Sequence, residues 1–217
     1  MKNFLSIDGP LVRFSDKVLF SIWLVILWMI TSIPIITIGA STSALYYVML
    51  KVDREEEGHI TRQFFSAFKS NFKKGTIIWL IMLFVGIFVI GYMYISGVSG
   101  YTIGKVMLVV NVVLLIWYFS IMQYIFAILA KYENTVKNYF KLSCYFASRY
   151  IIQTIILLAL SIGVIFATNY AFILFPFAFT IKIMISSSII NDVFDKGIVK
   201  KKDKNNKEEK KVEQIEA

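Results

Sequence analysis

Between Val18 and Leu50 the chain carries no charged residue over 33 positions, whereas a helix needs only about 20 residues to cross a hydrocarbon core of about 30 Å. A single straight span cannot use so long a run. Inside it stands the stretch Ser32 to Tyr47, SIPIITIGASTSALYY. There Pro34 lacks a backbone donor and pushes Ile33 away from helical angles, and Gly39 can take conformations closed to other residues. The run is read as a first span over residues 18–38, then a second helical piece, Ala40 to Leu50, at or just inside the membrane face. The alternative is a hairpin returning to its own side, but its arms hold only about 14 to 16 residues, short for a crossing. The single crossing is the expectation.

The rest of the chain follows the same logic. Of its 217 residues, 58% are hydrophobic and 17% charged, too apolar a mixture for one soluble core. All 14 acidic residues fall at Asp8 and Asp16, between Asp53 and Glu57, at Glu133, and from Asp192 onward. Long uncharged segments that satisfy their own backbone read as helices in a bundle. The expected fold is all-α, a polytopic membrane bundle of five spans at about 18–38, 76–95, 106–130, 151–168 and 170–190. It forms one domain over 1–195, followed by a charged, disordered tail over 196–217 whose composition cannot bury enough to fold alone. Pro176 is expected to kink the last span. Residues 1–17 read as a surface lead-in broken at Gly9-Pro10. A cleaved signal peptide does not fit the first span, which has no short apolar core followed by a small-residue cleavage site.

Residues 51–75 form a polar connection with an amphipathic pattern. Ile60, Phe64, Phe65, Phe68 and Phe72 recur at spacings of three and four, while Arg62, Lys69 and Lys73 gather on another side. This reads as an interfacial helix in the headgroup layer, with Arg62, Phe64, Phe68, Lys69, Phe72 and Lys73 as the candidate face toward lipid or a partner. The turn at 96–104 has no charge but Lys105 follows it, and 131–149 is again basic, with Lys131, Lys137, Lys141 and Arg149 against Glu133. Basic connections favour the cytoplasmic side. With five spans the connections 51–75 and 131–149 and the C-terminus are cytoplasmic and the N-terminus is extracellular. Lys2, Arg13 and Lys17 dissent from that arrangement.

Little in the sequence suggests chemistry. There is no phosphate loop, nucleophile elbow or His-Glu-x-x-His pair. One cysteine, Cys144, and one histidine, His59, make neither an internal disulfide nor a structural zinc site. No catalytic residue, cofactor or metal is expected, and the protein is read as not an enzyme. Lys182 is the exception to apolarity, near the middle of the last span, where a charge costs about 2.5 to 3.5 kcal/mol on insertion scales and marks a functional position by default. Its candidate partners are Ser186, Asn111, Gln123, Gln153 or an anionic ligand; the alternative is a snorkelling lysine. The second polar concentration comprises Pro34, Thr37, Gly39, Ser41 and Thr42, suited either to close helix packing or to a broken-helix transport site.

Several stretches carry a family resemblance: the approach from Trp28 to Pro34, the run Thr37-Ile38-Gly39-Ala40-Ser41-Thr42 with Ala44-Leu45-Tyr46-Tyr47, and Phe64-Phe65, Phe68-Lys69, Asn71-Phe72-Lys73. They resemble the YesL family of bacterial multipass membrane proteins, a domain of unknown function, most specifically over residues 20–80. The resemblance implies a plasma-membrane protein often encoded beside carbohydrate ABC transporter components. It therefore implies an accessory or regulatory role in carbohydrate transport, with ABC transporter subunits as partners. The alternative is a small oligomeric transporter or channel, a homo-oligomer using the broken first helix and Lys182. The lipid bilayer is the expected partner in either case, and nucleic acid is not. The lysine-rich tail is outside the pattern.

Overall fold

The computed structural model describes residues 10–54, 59–98 and 102–216. Seven helices account for most of them: α1 Pro10–Thr31, α2 Ile38–Val52, α3 Ile60–Val98, α4 Thr102–Lys131, α5 Val136–Arg149, α6 Ile151–Tyr170 and α7 Phe175–Glu216. Short 3-10 turns, Ile35–Thr37 and Phe172–Leu174, precede α2 and α7. The all-helical expectation holds. Among the described residues, five segments are long and apolar enough to cross a membrane: Ile35–Val52, Ile60–Ile95, Met107–Lys131, Ile151–Tyr170 and Phe175–Gly197.

The first expected span is corrected. Residues 18–38 do not form one helix; the chain reverses at Ser32–Pro34, and α1 and α2 run antiparallel as a hairpin. Pro34 sits in extended backbone at φ −73°, ψ 116°. The Thr37 hydroxyl lies 2.6 Å from both Thr31 O and Pro34 O, and Thr37 N donates to Pro34 O at 2.9 Å. The carbonyls freed by the break are thus satisfied locally, as an apolar setting demands. Across the hairpin, Trp28 Nε1 donates to Thr42 Oγ1 at 3.0 Å near the closed end, and Lys17 Nζ donates to Asp53 Oδ1 at 2.6 Å at the open end. The first half of α1 therefore lies at the same end of the bundle as the end of α2, not at the opposite one.

α2 is the central element. Ten of its 15 residues are buried, among them Gly39, Ala40, Ser41, Ser43 and Ala44, and it packs against α1, α3, α4 and α7. Its small residues let α3 approach closely. Asn71 Nδ2 donates to Ser43 Oγ at 3.1 Å, and Gly39 and Gly75 meet backbone to backbone.

α3 is a second correction. The change from basic to apolar composition near Gly75 suggested an interfacial helix followed by a span, but α3 is a single helix of 39 residues, about 58 Å at 1.5 Å per residue. Phe64, Ala67, Gly75, Ile78 and Met82 are buried along one stripe that crosses that boundary unbroken. The expected turn at 96–104 narrows accordingly, since helix runs to Val98 and resumes at Thr102; residues 99–101 lie outside the described residues, as do 1–9 and the acids Glu55, Glu56 and Glu57. α3 and α4 are then joined by Tyr118 Oη, which donates to Met82 O at 2.8 Å, and by Asn111 Nδ2, which donates to Val89 O at 3.1 Å.

The connection 131–149 contains a helix of its own, α5, with Tyr139, Ser143, Phe146 and Ala147 buried and Lys137, Lys141 and Arg149 exposed. Tyr139 Oη accepts from Asn134 N and donates to Tyr132 O, both at 2.9 Å, and so closes the turn from α4. Pro176 does not kink the last span: α7 starts at Phe175, so the proline sits in the first turn, where a missing backbone donor costs nothing. Beyond the bundle α7 continues to Glu216 in place of the expected disordered tail. That stretch is rich in lysine and glutamate and contains neither glycine nor proline after Gly197, a composition of strong helix formers.

The outward sides of α3, α4 and α6 are apolar. Phe84, Ile87 and Phe88, Val109, Val113 and Trp117, and Ile152, Ile155 and Phe166 are all exposed. A water-soluble protein does not carry an apolar surface of this extent; against acyl chains it is the expected one.

Candidate functional site

Two polar constellations interrupt the apolar bundle. The first closes one end of it. Asp53, just past α2, accepts from Lys17 Nζ of α1 at 2.6 Å and from Ser188 Oγ of α7 on one oxygen, and from Asn191 Nδ2 of α7 at 2.9 Å on the other. Asn191 Nδ2 also donates to Leu50 O at 3.1 Å, which meets a free carbonyl at the end of α2. Burial pushes the Asp53 carboxyl up, but the hydrogen bonds from Asn191, Lys17 and Ser188 and the charge of Lys17 outweigh it, so Asp53 titrates below its ordinary value. Next to it Arg54 pairs with Asp195 of α7, and Lys131 Nζ of α4 lies 3.8 Å from the same carboxylate. Three helices in addition to α2 are thus tied at one level by side chains on both sides of a charge balance.

Sequence reasoning placed Asp53 in a polar connection and missed this clasp. The available signal was position: an acid one residue beyond a long apolar segment, with Asn191 and Asp195 beginning the polar stretch after the last one.

The second constellation lies inside. Lys182 Nζ of α7 donates to Gln123 Oε1 of α4 at 3.2 Å, and Gln123 Nε2 donates to Ser161 Oγ of α6. The lysine also stands 5.7 Å from the ring centroid of Phe179, which stacks on Trp28 at 4.6 Å. Of the expected partners Gln123 is the one found. Asn111 bonds Val89 O instead. Ser186 is fully buried, and its hydroxyl has no partner.

The remaining singled-out residues divide by surroundings. Pro34 is exposed at the hairpin turn, whereas Thr37, Gly39 and Ser41 are buried and Thr42 is half-buried; all four are engaged in packing or in local hydrogen bonds. On α3 the expected face is corrected. Phe64 is fully buried and Phe68 half-buried against α2, because α3 turns that stripe inward. Arg62, Phe65, Lys69, Phe72 and Lys73 form the outward side.

An all-helical bundle with a lipid-type exterior and charges gathered beyond its apolar lengths defines a multipass membrane protein. Within it, residues 21–92 match the family model described as "Protein of unknown function, DUF624", and the resemblance to the YesL family is consistent with that match. No curated protein and no solved structure matches the chain.

Proposed function

We propose that the protein is a non-enzymatic accessory or regulatory component of a carbohydrate ABC-type transporter in the bacterial plasma membrane. Both termini and the basic connections face the cytoplasm in this reading. The observation that carries it is the outward side of α3, where Arg62, Lys69 and Lys73 alternate with exposed Phe65 and Phe72 on a helix fixed from behind by α2. Basic and aromatic groups interleaved on a rigid element suit a protein surface with acidic and apolar patches. The YesL resemblance supplies the transporter as the partner. Excess lysine and arginine at that end supports the cytoplasmic orientation.

Mild-detergent recovery of the tagged protein from its native membrane, with cross-linking and mass spectrometry, tests the reading. ABC transporter subunits in stoichiometric amount, cross-linked through Lys69 or Lys73 and lost in a K69E/K73E variant, are the expected result. Recovery of the chain alone or as a homo-oligomer refutes it.

A second reading, a small oligomeric transporter, draws on the chain of polar groups from Lys182 through Gln123 to Ser161 across α7, α4 and α6. Solute flux in liposomes holding only this protein is its test.

A further inference from the structure

Ser186 differs from several other helical serines. Ser41, Ser120, Ser143 and Ser161 each donate to the carbonyl four residues back, the ordinary way a helix satisfies such a hydroxyl. Ser186 does not. One turn before it stands Lys182, whose ammonium has three donors and spends one on Gln123. Among the described residues no carboxylate pairs with Lys182; the ion pairs of this bundle all involve Asp53, Asp192 or Asp195. Residues four apart on a helix are neighbours, about 5–6 Å between Cβ atoms. A lysine with no carboxylate partner and an unused hydroxyl therefore stand one turn apart on the same side of α7.

We propose that Lys182 and Ser186 bind an oxyanion, a carboxylate or phosphate-type group carried by a free solute or by an anionic lipid headgroup. The sign of the ligand follows from the sign of the site. In low dielectric the lysine charge is felt strongly, repels cations and is neutralised by one negative group. An oxyanion accepts a charge-assisted bond from Nζ and a second bond from Ser186 Oγ. Gln123, itself bonded to Ser161, holds the lysine through its amide oxygen. The assignment concerns binding, and it stands whether the protein accompanies a transporter or moves a solute itself.

The full chain in nanodiscs of phosphatidylcholine alone provides the test. Its thermal midpoint is followed against added inorganic phosphate or acetate at ionic strength held with potassium chloride, and separately against partial replacement of the lipid by phosphatidylglycerol. A ligand that binds the folded state raises the midpoint in proportion to occupancy. The expected result is a saturable rise in wild type and in K182R in at least one arm. The apparent affinity should be weaker by about tenfold or more in K182M and S186A, the factor that loss of a hydrogen bond to a charged group corresponds to. A rise only with phosphate or acetate assigns a soluble anion; a rise only with phosphatidylglycerol assigns a headgroup. No rise in either arm, or an equal rise in wild type and K182M, overturns the proposal. S186A removes a single oxygen and keeps the test open if K182M does not insert, since an unchanged affinity there overturns the pairing.

Discussion

Gly39 and Gly75 stand so close that neither could carry a side chain. A Cβ on Gly75 would lie 2.9 Å from both Cα and N of Ala40, and one on Gly39 would meet the Gly75 carbonyl and come within 2.6 Å of Trp79 Cβ. The obstacles are backbone atoms and one Cβ, none of which can swing aside. Gly75→Val should cost at least the about 1–3 kcal/mol typical of overpacking, read as a lower thermal midpoint in detergent. Gly91→Ala on the same helix meets nothing within 4 Å and should be neutral or stabilising by up to about 1 kcal/mol through helix propensity. Equal effects of the two would refute the close contact.

Asp53 makes stability depend on pH in a defined direction. Its folded-state pKa is lowered from the ordinary 3.8, so the folded state binds this proton less readily than the unfolded one. The stabilisation is complete above about 3.8 and is lost as pH falls through the lowered folded value. Asp53→Asn should destabilise by roughly 1.5–3 kcal/mol at neutral pH, the range for hydrogen bonds to a charged group. The gap between variant and wild type should stay flat in the neutral range and close only on strong acidification. A gap that closes near pH 6 would mean that another group carries it.

The hairpin brings the first half of α1 to the same end of the bundle as the clasp on α7. Lys17, two turns into α1, pairs with Asp53, which in turn bonds Ser188 and Asn191 of α7. Reporters fused at the N-terminus and at the C-terminus should therefore report the same compartment. Opposite compartments would restore the single crossing.

Trp28 and Thr42 should be energetically coupled. The indole N–H donates to Thr42 Oγ1 at 3.0 Å, and Thr42→Val removes the acceptor at nearly constant shape. Trp28→Phe and Thr42→Val should each cost about 1 kcal/mol or more. The double variant should fall short of their sum by a comparable amount. Strict additivity would show the bond to be unimportant.

How legible all this was in the sequence varies by element. Uncharged length revealed the membrane class, the apolar cores of α3, α4 and α6, and the paired last two helices, because a bilayer imposes its thickness on any chain. The hairpin was weighed and set aside for short arms, an argument about spanning that ignores what α2 gains by packing its small residues into the centre. The contact of Gly39 with Gly75 is tertiary, and nothing local announces it. The continuity of α3 was hidden because side-chain polarity changes at Gly75 while the backbone continues through it. α5 was readable, since Tyr139, Ser143, Phe146 and Ala147 recur at helical spacing, but its charges drew the eye to a loop. At the candidate site, Lys182 and its bond to Gln123 were within reach of residue-type reasoning. The Asp53 clasp needed α1, α2 and α7 brought to one level.

The unbroken α3 has a mechanical consequence. From Lys69 to Ile95 it is one rod of about 39 Å at 1.5 Å per residue, gripped by α2 near Gly75 and by α4 from Met82 to Val89. A rod clamped at several points along its length does not pivot alone; it moves with the helices that clamp it. A push at its Lys69 end is therefore shared with α2 and α4, with no hinge within α3 to absorb it.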